Sequence, residues 1–470
     1  MTVARQVDLE PSLLGDRLYV SRRRFLRIDA AALLSLMIAL LALIPARLIV
    51  PNMTDLGRPA LLIGFVLCLW WLLVRLNPHL VLVGPQPMRW VVLIYLLAAL
   101  ISYAVGLLRG LTEMEANGAD RAILSIGIFA GVLLMAADGI PNWARLDGVI
   151  RIFVTCSAIM SFIGLLQFVL YLDVTQYISI PGLEAKGWAP ELEIRGSGIR
   201  VASTTGHYIE LSTILAIALP FAIHLALYAE SKLRRQISMV LAVVIAAGVP
   251  ATMSRTGFVG LGIVMLVMVP IWTWRTRYNM LVIAVGLACA MITVKPAVVD
   301  TLTRMFSGAA EDPSITARTK RYDMVAYYFN QRPWLGRGTG TWISPQYQYL
   351  DNQWLDTALM GGIIGVVALA LLHLTGISLA GLALRRSTTR EGKHLCAALI
   401  ASQLIAIFVG FTFDSLSFSS YFLVLALMLG LCGAVWRFTH PQRMVRTSVP
   451  GNVEADSGES ESEPLATASR

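Results

Sequence analysis

The stretch DNQWLDTALMGGIIGVVALALL, Asp351–Leu372, starts as a polar pair and becomes a lipid-soluble helix within a few residues. A run of this apolarity and length reads as a membrane span, because about 20 apolar helical residues cross the roughly 30 Å hydrocarbon layer. The question it raises is why a span should open on Asp-Asn.

Runs of the same kind recur along nearly the whole chain, at about twelve places. They cover 30–46, 60–74, 90–108, 122–137, 149–171, 209–228, 237–253, 257–274, 281–294, 354–384, 395–413 and 421–436. A composition of 56% hydrophobic and 14% charged residues excludes an ordinary soluble domain of 470 residues. The predicted fold class is therefore an all-α polytopic membrane protein of about 12 transmembrane helices with two long extracytoplasmic loops.

Basic residues resist translocation, so clusters of Arg and Lys in short loops mark the cytoplasmic side. They fall at Arg22 to Arg27, Arg75 and Arg89, Arg145 and Arg151, Lys232 to Arg235, Arg275 and Arg277, and Arg385 to Lys393. Each cluster lies an even number of crossings from the amino terminus, which predicts both termini in the cytoplasm. The net charge of +9 is then topological and calls for no nucleic-acid partner. Three regions follow: a basic cytoplasmic segment over 1–29, a membrane domain over 30–436, and a cytoplasmic tail over 437–470. The tail is acidic and Ser-rich and is predicted to be disordered. No cleavable signal peptide is evident, since Arg22 to Arg27 leads into a full span. The five cysteines sit singly in apolar runs without CxxC spacing, so neither a disulfide framework nor a metal site is expected.

The same counting places the two longest hydrophilic segments, about 173–208 and 295–352, on the outer face. Two short outer tips, SRTG at 254–257 and DSLSFSS at 414–420, join them. Function is sought where long, chemically varied loops gather. The first loop, EIRGSGIRVASTTGHYIELS from Glu193, carries Arg195, Arg200 and His207. Solvated loop charges and an interfacial cap would explain each of them singly; their concentration before one helix points to a site. Arg255, at an outer tip between two apolar runs, must snorkel, pair or bind an anion, and a guanidinium fork matches phosphate oxygens.

In the second loop, Ser314 is read as the cap of a helix reaching about Phe329, with Arg318, Lys320 and Arg321 in its first turns. Pro333 breaks the chain and GRGTGTW follows. Gly336, Gly338 and Gly340 superficially resemble a dinucleotide loop, but no strand precedes them and no βαβ unit surrounds them. Trp188, Trp334, Trp342, Tyr347, Tyr349 and Trp354 belong to these loops or their edges. Aromatics there serve as interfacial belts or as stacking surfaces for sugar rings.

These residues resemble the O-antigen ligase and Wzy-type polymerase superfamily of integral membrane glycosyltransferases, over about 195–384. The marks are RVASTTGHYIELS, with Tyr208 where Pro is common, and the short tip Ser254-Arg255. Arg318 then stands fifteen residues before the PxxGxGxG of PWLGRGTG, which begins at Pro333. In the last mark Asn352, Gly362 and Gly365 fit, while Asp351 stands where the family carries His.

The resemblance implies a bacterial plasma-membrane enzyme with an extracytoplasmic active face. It would move a glycan from a polyprenyl diphosphate to a glycan or lipid acceptor, inverting and metal-independent, with no cofactor. Arginines near the outer leaflet would steady the leaving diphosphate, and a carboxylate or imidazole would take the proton of the attacking hydroxyl. Asp351, His207 and Arg255 are the expected catalytic residues, and Arg195, Arg200, Arg318, Arg321, Asn352 and Trp342 the expected binding residues. A plain helix cap is the competing explanation for Asp351; His207 and then Asp414 are next in line as base. A transporter or lipid-linked glycan flippase is the alternative function. It is disfavoured because internal repeats and buried acidic pairs are not evident.

Overall fold

The computed structural model describes residues 29–53, 55–76, 85–186, 193–195, 198–294, 303 and 321–441. The expected disordered tail, apart from its first residues, and most of the basic amino-terminal segment lie outside them, as does the expected Ser314 cap.

Helices α1 (Ala30–Leu43), α2 (Pro59–Arg75), α3 (Pro87–Arg109), α4 (Glu113–Gly139) and α5 (Trp143–Leu170) form the first half of the described chain. Helices α6 (Tyr208–Tyr228), α7 (Lys232–Ala251), α8 (Arg255–Met268) and α9 (Trp274–Val294) follow. A short α10 (Arg321–Gln331) precedes α11 (Gln353–Arg386), α12 (Arg390–Val409) and α13 (Ser419–Thr439). Nine of these are long and apolar enough to cross a bilayer, and α1, α2 and α8 are shorter apolar helices. The protein is thus a polytopic, α-helical membrane protein, and each of the twelve apolar runs contains a helix. Helix ends are set by local chemistry. Proline occupies the first position of α2 and α3, and Thr112 and Glu115 form a reciprocal capping box at α4.

Helix α13 is the central element: every residue from Ser420 to Thr439 is buried. Small residues let it approach α4, since a Cβ on Gly430 would lie 2.5 Å from Ala136 Cβ and from Leu133 O. Such contacts matter in lipid, where helix association rests on close van der Waals packing. Helix α9 lies at the other extreme, with no buried residue.

Short strand pairs accompany the all-α framework in its loops. Four strands of two or three residues pair in the loops, β1 (Leu48–Ile49) with β2 (Glu184–Ala185) and β3 (Glu193–Arg195) with β4 (Gly198–Arg200), both antiparallel. Backbone groups with no helix to join still need partners, and the ladders supply them. The Arg47 guanidinium also donates to Thr175 O at 2.9 Å and to Gln176 O at 3.1 Å, tying the first long loop to the α1–α2 connection.

A correction to the expected spans concerns the quoted stretch itself. The expected single span over 354–384 is broken at Gly362, whose φ of 63° and ψ of −163° are non-helical. The Trp354 and His373 rings lie 6.0 Å apart, although nineteen residues of straight helix would separate them by roughly 28 Å. Thr357 likewise meets Gly365, with its carbonyl 3.5 Å from where a Cβ would sit. Residues 353–361 therefore form a short arm folded back against the long arm, 363–386.

The break leaves backbone groups without intrahelical partners, and the PWLGRG segment takes them up. Ile363 N donates to Pro333 O at 2.8 Å and Ile364 N to Trp334 O at 3.2 Å, while Leu359 O and Met360 O accept from Arg337 N (2.9 Å) and Gly338 N (3.0 Å). Gly336, at φ 68°, passes so close that a Cβ would lie 2.3 Å from Met360 O. The glycines of the loop and the GxxG of the helix are thus two halves of one splint.

Candidate active site

The short arm begins where α12 ends and α13 begins. Asn352 caps it, its Oδ1 accepting from Trp354 N at 3.0 Å and Leu355 N at 3.1 Å. Gln353 N donates to Gly410 O at 2.7 Å, which fixes the arm to the end of α12. Asp351 is therefore not the cap. It precedes the cap with a left-handed φ of 51°, and its carboxylate accepts from Arg321 Nη1 at 2.7 Å. The Asp351 side chain is 43% exposed, so the carboxylate faces outward.

Asp414, from the α12–α13 tip, lies beneath this turn. Its two oxygens accept from Asp351 N at 3.2 Å and Asn352 N at 2.8 Å. Burial raises its pKa, opposed by these backbone hydrogen bonds and reinforced by the Asp351 charge. With both oxygens engaged in holding the turn, Asp414 acts as an anchor.

The start of α6 forms the neighbouring wall. His207 is its cap, with Nδ1 accepting from Ile209 N at 3.2 Å. Its ring lies 4.1 Å from that of Tyr208 and 5.6 Å from that of Phe418. The Arg200 guanidinium sits 4.4 Å above the Tyr208 ring and donates to its hydroxyl. Burial and then the Arg200 charge push the His207 imidazole down to about 4, with Asp351 pulling the other way. A neutral ring whose Nδ1 accepts must carry its proton on Nε2. His207 can then donate to a ligand oxygen but has no ring lone pair to spare as a base.

The folded-state value lies below the ordinary 6.5. The unfolded chain therefore binds more protons between about pH 4 and 6.5, and stability falls as pH drops through that window. Thermal unfolding in detergent should show this loss, and His207→Gln should remove part of it. An unchanged acid profile in the variant would contradict the neutral cap.

The remaining expected residues fall as follows. Arg195 lies on β3, paired in register with Gly198. Arg255 opens α8 directly after the buried Ser254. It is at the α6 end of the site, because a Cβ on Gly257 would lie 3.0 Å from Ser212. Arg318 lies outside the described residues. Trp342 stacks on Tyr347, with ring centroids 4.4 Å apart, and donates to Gln348 O at 2.9 Å. One of its faces is thus taken by the protein itself.

Three residues were missed by sequence reading. Arg337 lies within 5.0 Å of the Tyr328 and Tyr347 rings and donates to Tyr347 Oη at 2.6 Å. Glu115 is 1% exposed and accepts from Arg109 at 2.8 Å and Tyr347 at 3.1 Å. Together they clamp the second loop onto α3 and α4. Glu115→Gln should lower stability by about 1–3 kcal/mol, the usual cost of stranding buried hydrogen-bonding groups, and an unchanged unfolding temperature would refute the clamp. Glu210, also 1% exposed, accepts from Ser420 N (2.8 Å) and Tyr421 N (3.0 Å), fixing the start of α13 to α6. Its only sequence signal is a carboxylate in the first turn of an apolar helix.

Arg200, His207, Arg321, Asp351 and Asn352 thus gather around the meeting point of α6, α10, the short arm and the α12–α13 tip. The arrangement offers guanidinium groups for an anion, a neutral N–H donor, and an outward carboxylate that accepts a proton.

Residues 240–370 match the O-antigen ligase family model, which supports the O-antigen ligase/Wzy-type superfamily and a glycan ligase or polymerase role in general. The matched segment includes Arg255, Arg318, Arg321, Trp342, Asp351 and Asn352, whereas Arg195, Arg200 and His207 precede it. No curated protein matches the chain.

Proposed function

We propose that the protein transfers a glycan from a polyprenyl diphosphate to an acceptor hydroxyl at the extracytoplasmic face of a bacterial plasma membrane. All twelve apolar helices then cross the bilayer and both termini are cytoplasmic. The observation that supports this most directly is the meeting of Arg200 and His207 with Asp351 and Arg321, side chains from two regions more than a hundred residues apart. A match to a glycan ligase family over the segment holding two of them adds to it.

The reaction is a single inverting displacement. The acceptor oxygen forms a bond to the anomeric carbon as the bond from that carbon to the diphosphate oxygen breaks, and the diphosphate leaves with the electron pair. Asp351 receives the acceptor proton and, being exposed, returns it to water. Arg200 and Arg255 neutralise the charge that builds on the diphosphate, and Arg195 and Arg318 are assigned the same role from the sequence. His207 donates Nε2–H to a ligand oxygen. Arg321 aims the Asp351 carboxylate, and Asn352 and Asp414 hold the turn that presents it. In this scheme no metal takes part.

Deleting the gene and separating surface glycans from polyprenyl-linked intermediates tests the proposal. Single repeat units accumulating on lipid, with long polymer lost, identify a polymerase; long polymer accumulating on lipid identifies a ligase. Unchanged glycans with altered flux of a small solute would contradict transfer and favour a transporter.

A further inference from the structure

Behind the short arm lies a cavity of about 360 Å³, walled by α3, α4, the 339–343 loop, the α12–α13 tip and the arm itself. Its volume is in the range of small-molecule sites, roughly 300–1,000 Å³. The arm supplies Gln353, Asp356 and Thr357, and the rest of the wall includes Arg121, Ser417 and Trp342.

Asp356 is the unusual member. It is 7% exposed, and the one hydrogen bond to its carboxylate among the described residues comes from Gln353 Nε2 at 3.3 Å. A carboxylate has about four acceptor positions, and burying it so sparsely paired is costly. Gln353 cannot turn to serve it further. Its Nε2 also donates to Thr357 Oγ1 at 3.2 Å, and its Oε1 accepts from Leu416 N at 2.8 Å. A ligand that brings hydroxyl donors into the cavity supplies what this carboxylate lacks.

A carboxylate repels a diphosphate, and Arg200, Arg255 and Arg321 do not line this space. What suits it is a neutral group rich in hydroxyl donors with an apolar ring face for Trp342. A sugar ring meets that description. Its hydroxyl would also have little distance to cover, since Gln353, on the cavity wall, is two residues from Asp351.

We propose that this cavity is the acceptor subsite. It holds the terminal sugar of the acceptor glycan, with adjacent ring hydroxyls donating to Asp356 and a ring face against Trp342. The inference rests on the transfer reaction proposed above, and the experiment separates the two.

Full-length protein in lipid nanodiscs is mixed with repeat-unit oligosaccharides released by mild acid from the host's own surface polymer, and binding is read by saturation-transfer NMR. The same samples are assayed for consumption of lipid-linked donor. The variants are Asp356→Asn, which keeps shape, and Ser417→Trp, which fills the mouth from an exposed position. Wild type should bind the oligosaccharide, and each variant should bind it about tenfold or more weakly, the usual effect of losing hydrogen bonds to a charged group. Each variant should also need about tenfold or more oligosaccharide than wild type to reach half-maximal donor consumption. Variants that bind as tightly as wild type would overturn the subsite. So would a wild-type protein that consumes donor without binding the oligosaccharide, leaving transfer itself intact. A wild-type protein that does neither would remove the transfer proposal and the subsite with it.

Discussion

Asp351→Asn is expected to slow glycan transfer by about 10²–10⁴-fold, the usual contribution of a positioned general base, while the protein stays folded. Asn keeps an oxygen that can accept from Arg321, so the turn retains its shape. The lost ion pair contributes little to stability, because its Asp351 end is 43% exposed and screened by water. Asp351→His should recover part of the rate, since an imidazole at this position can also take a proton. Transfer by purified variants, with matched unfolding temperatures, is the measurement. An Asn variant as fast as wild type would remove Asp351 from the chemistry.

Gly362→Val should cost about 3 kcal/mol or more and abolish transfer. A Cβ at Gly362 would lie 2.3 and 2.4 Å from the carbonyl carbon and oxygen of Trp334 and 2.6 Å from Leu335 N. These are backbone atoms of the splint and cannot swing aside. The φ of 63° with ψ of −163° also falls in a region open essentially to glycine alone. Gly361→Ala is the control. Its added Cβ meets nothing within 4 Å, so stability and transfer should be unchanged. Equal unfolding temperatures for Gly362→Val and wild type would mean that the break at 362 is absent and that 353–386 runs as one helix.

The helical layout was legible because crossing a bilayer demands long apolar runs, and that demand is written in composition. The break at Gly362 was not, because the residues on either side are as apolar as any span. Two signals were present: a run longer than a bilayer requires, and the Gly361-Gly362 pair. Each is common in ordinary spans. What joins them to the glycines at 336 and 338 is a set of backbone hydrogen bonds, which leaves no trace in side-chain chemistry.

The site was partly legible for the same kind of reason. Arginines and a histidine in polar loops stand out against apolar surroundings, so the grouping of Arg200, His207 and Arg321 could be anticipated. The roles of Asp414, Glu210 and Glu115 depend on which backbone amides or side-chain donors their carboxylates meet, and that is decided by packing. The reading of Asp351 as a cap failed by one residue, because Asn352 has the shorter path to the free amides of Trp354 and Leu355.

The most direct test of the transfer reaction is reconstitution of the purified protein in proteoliposomes with a lipid-linked glycan donor and an acceptor. Polyprenyl diphosphate and glycan product would be quantified together by mass spectrometry, for wild type and Asp351→Asn. Release of one polyprenyl diphosphate per glycosidic bond formed, lost in the variant, is the predicted result. Lipid-linked glycan that crosses the bilayer, or persists, without any such release would contradict it.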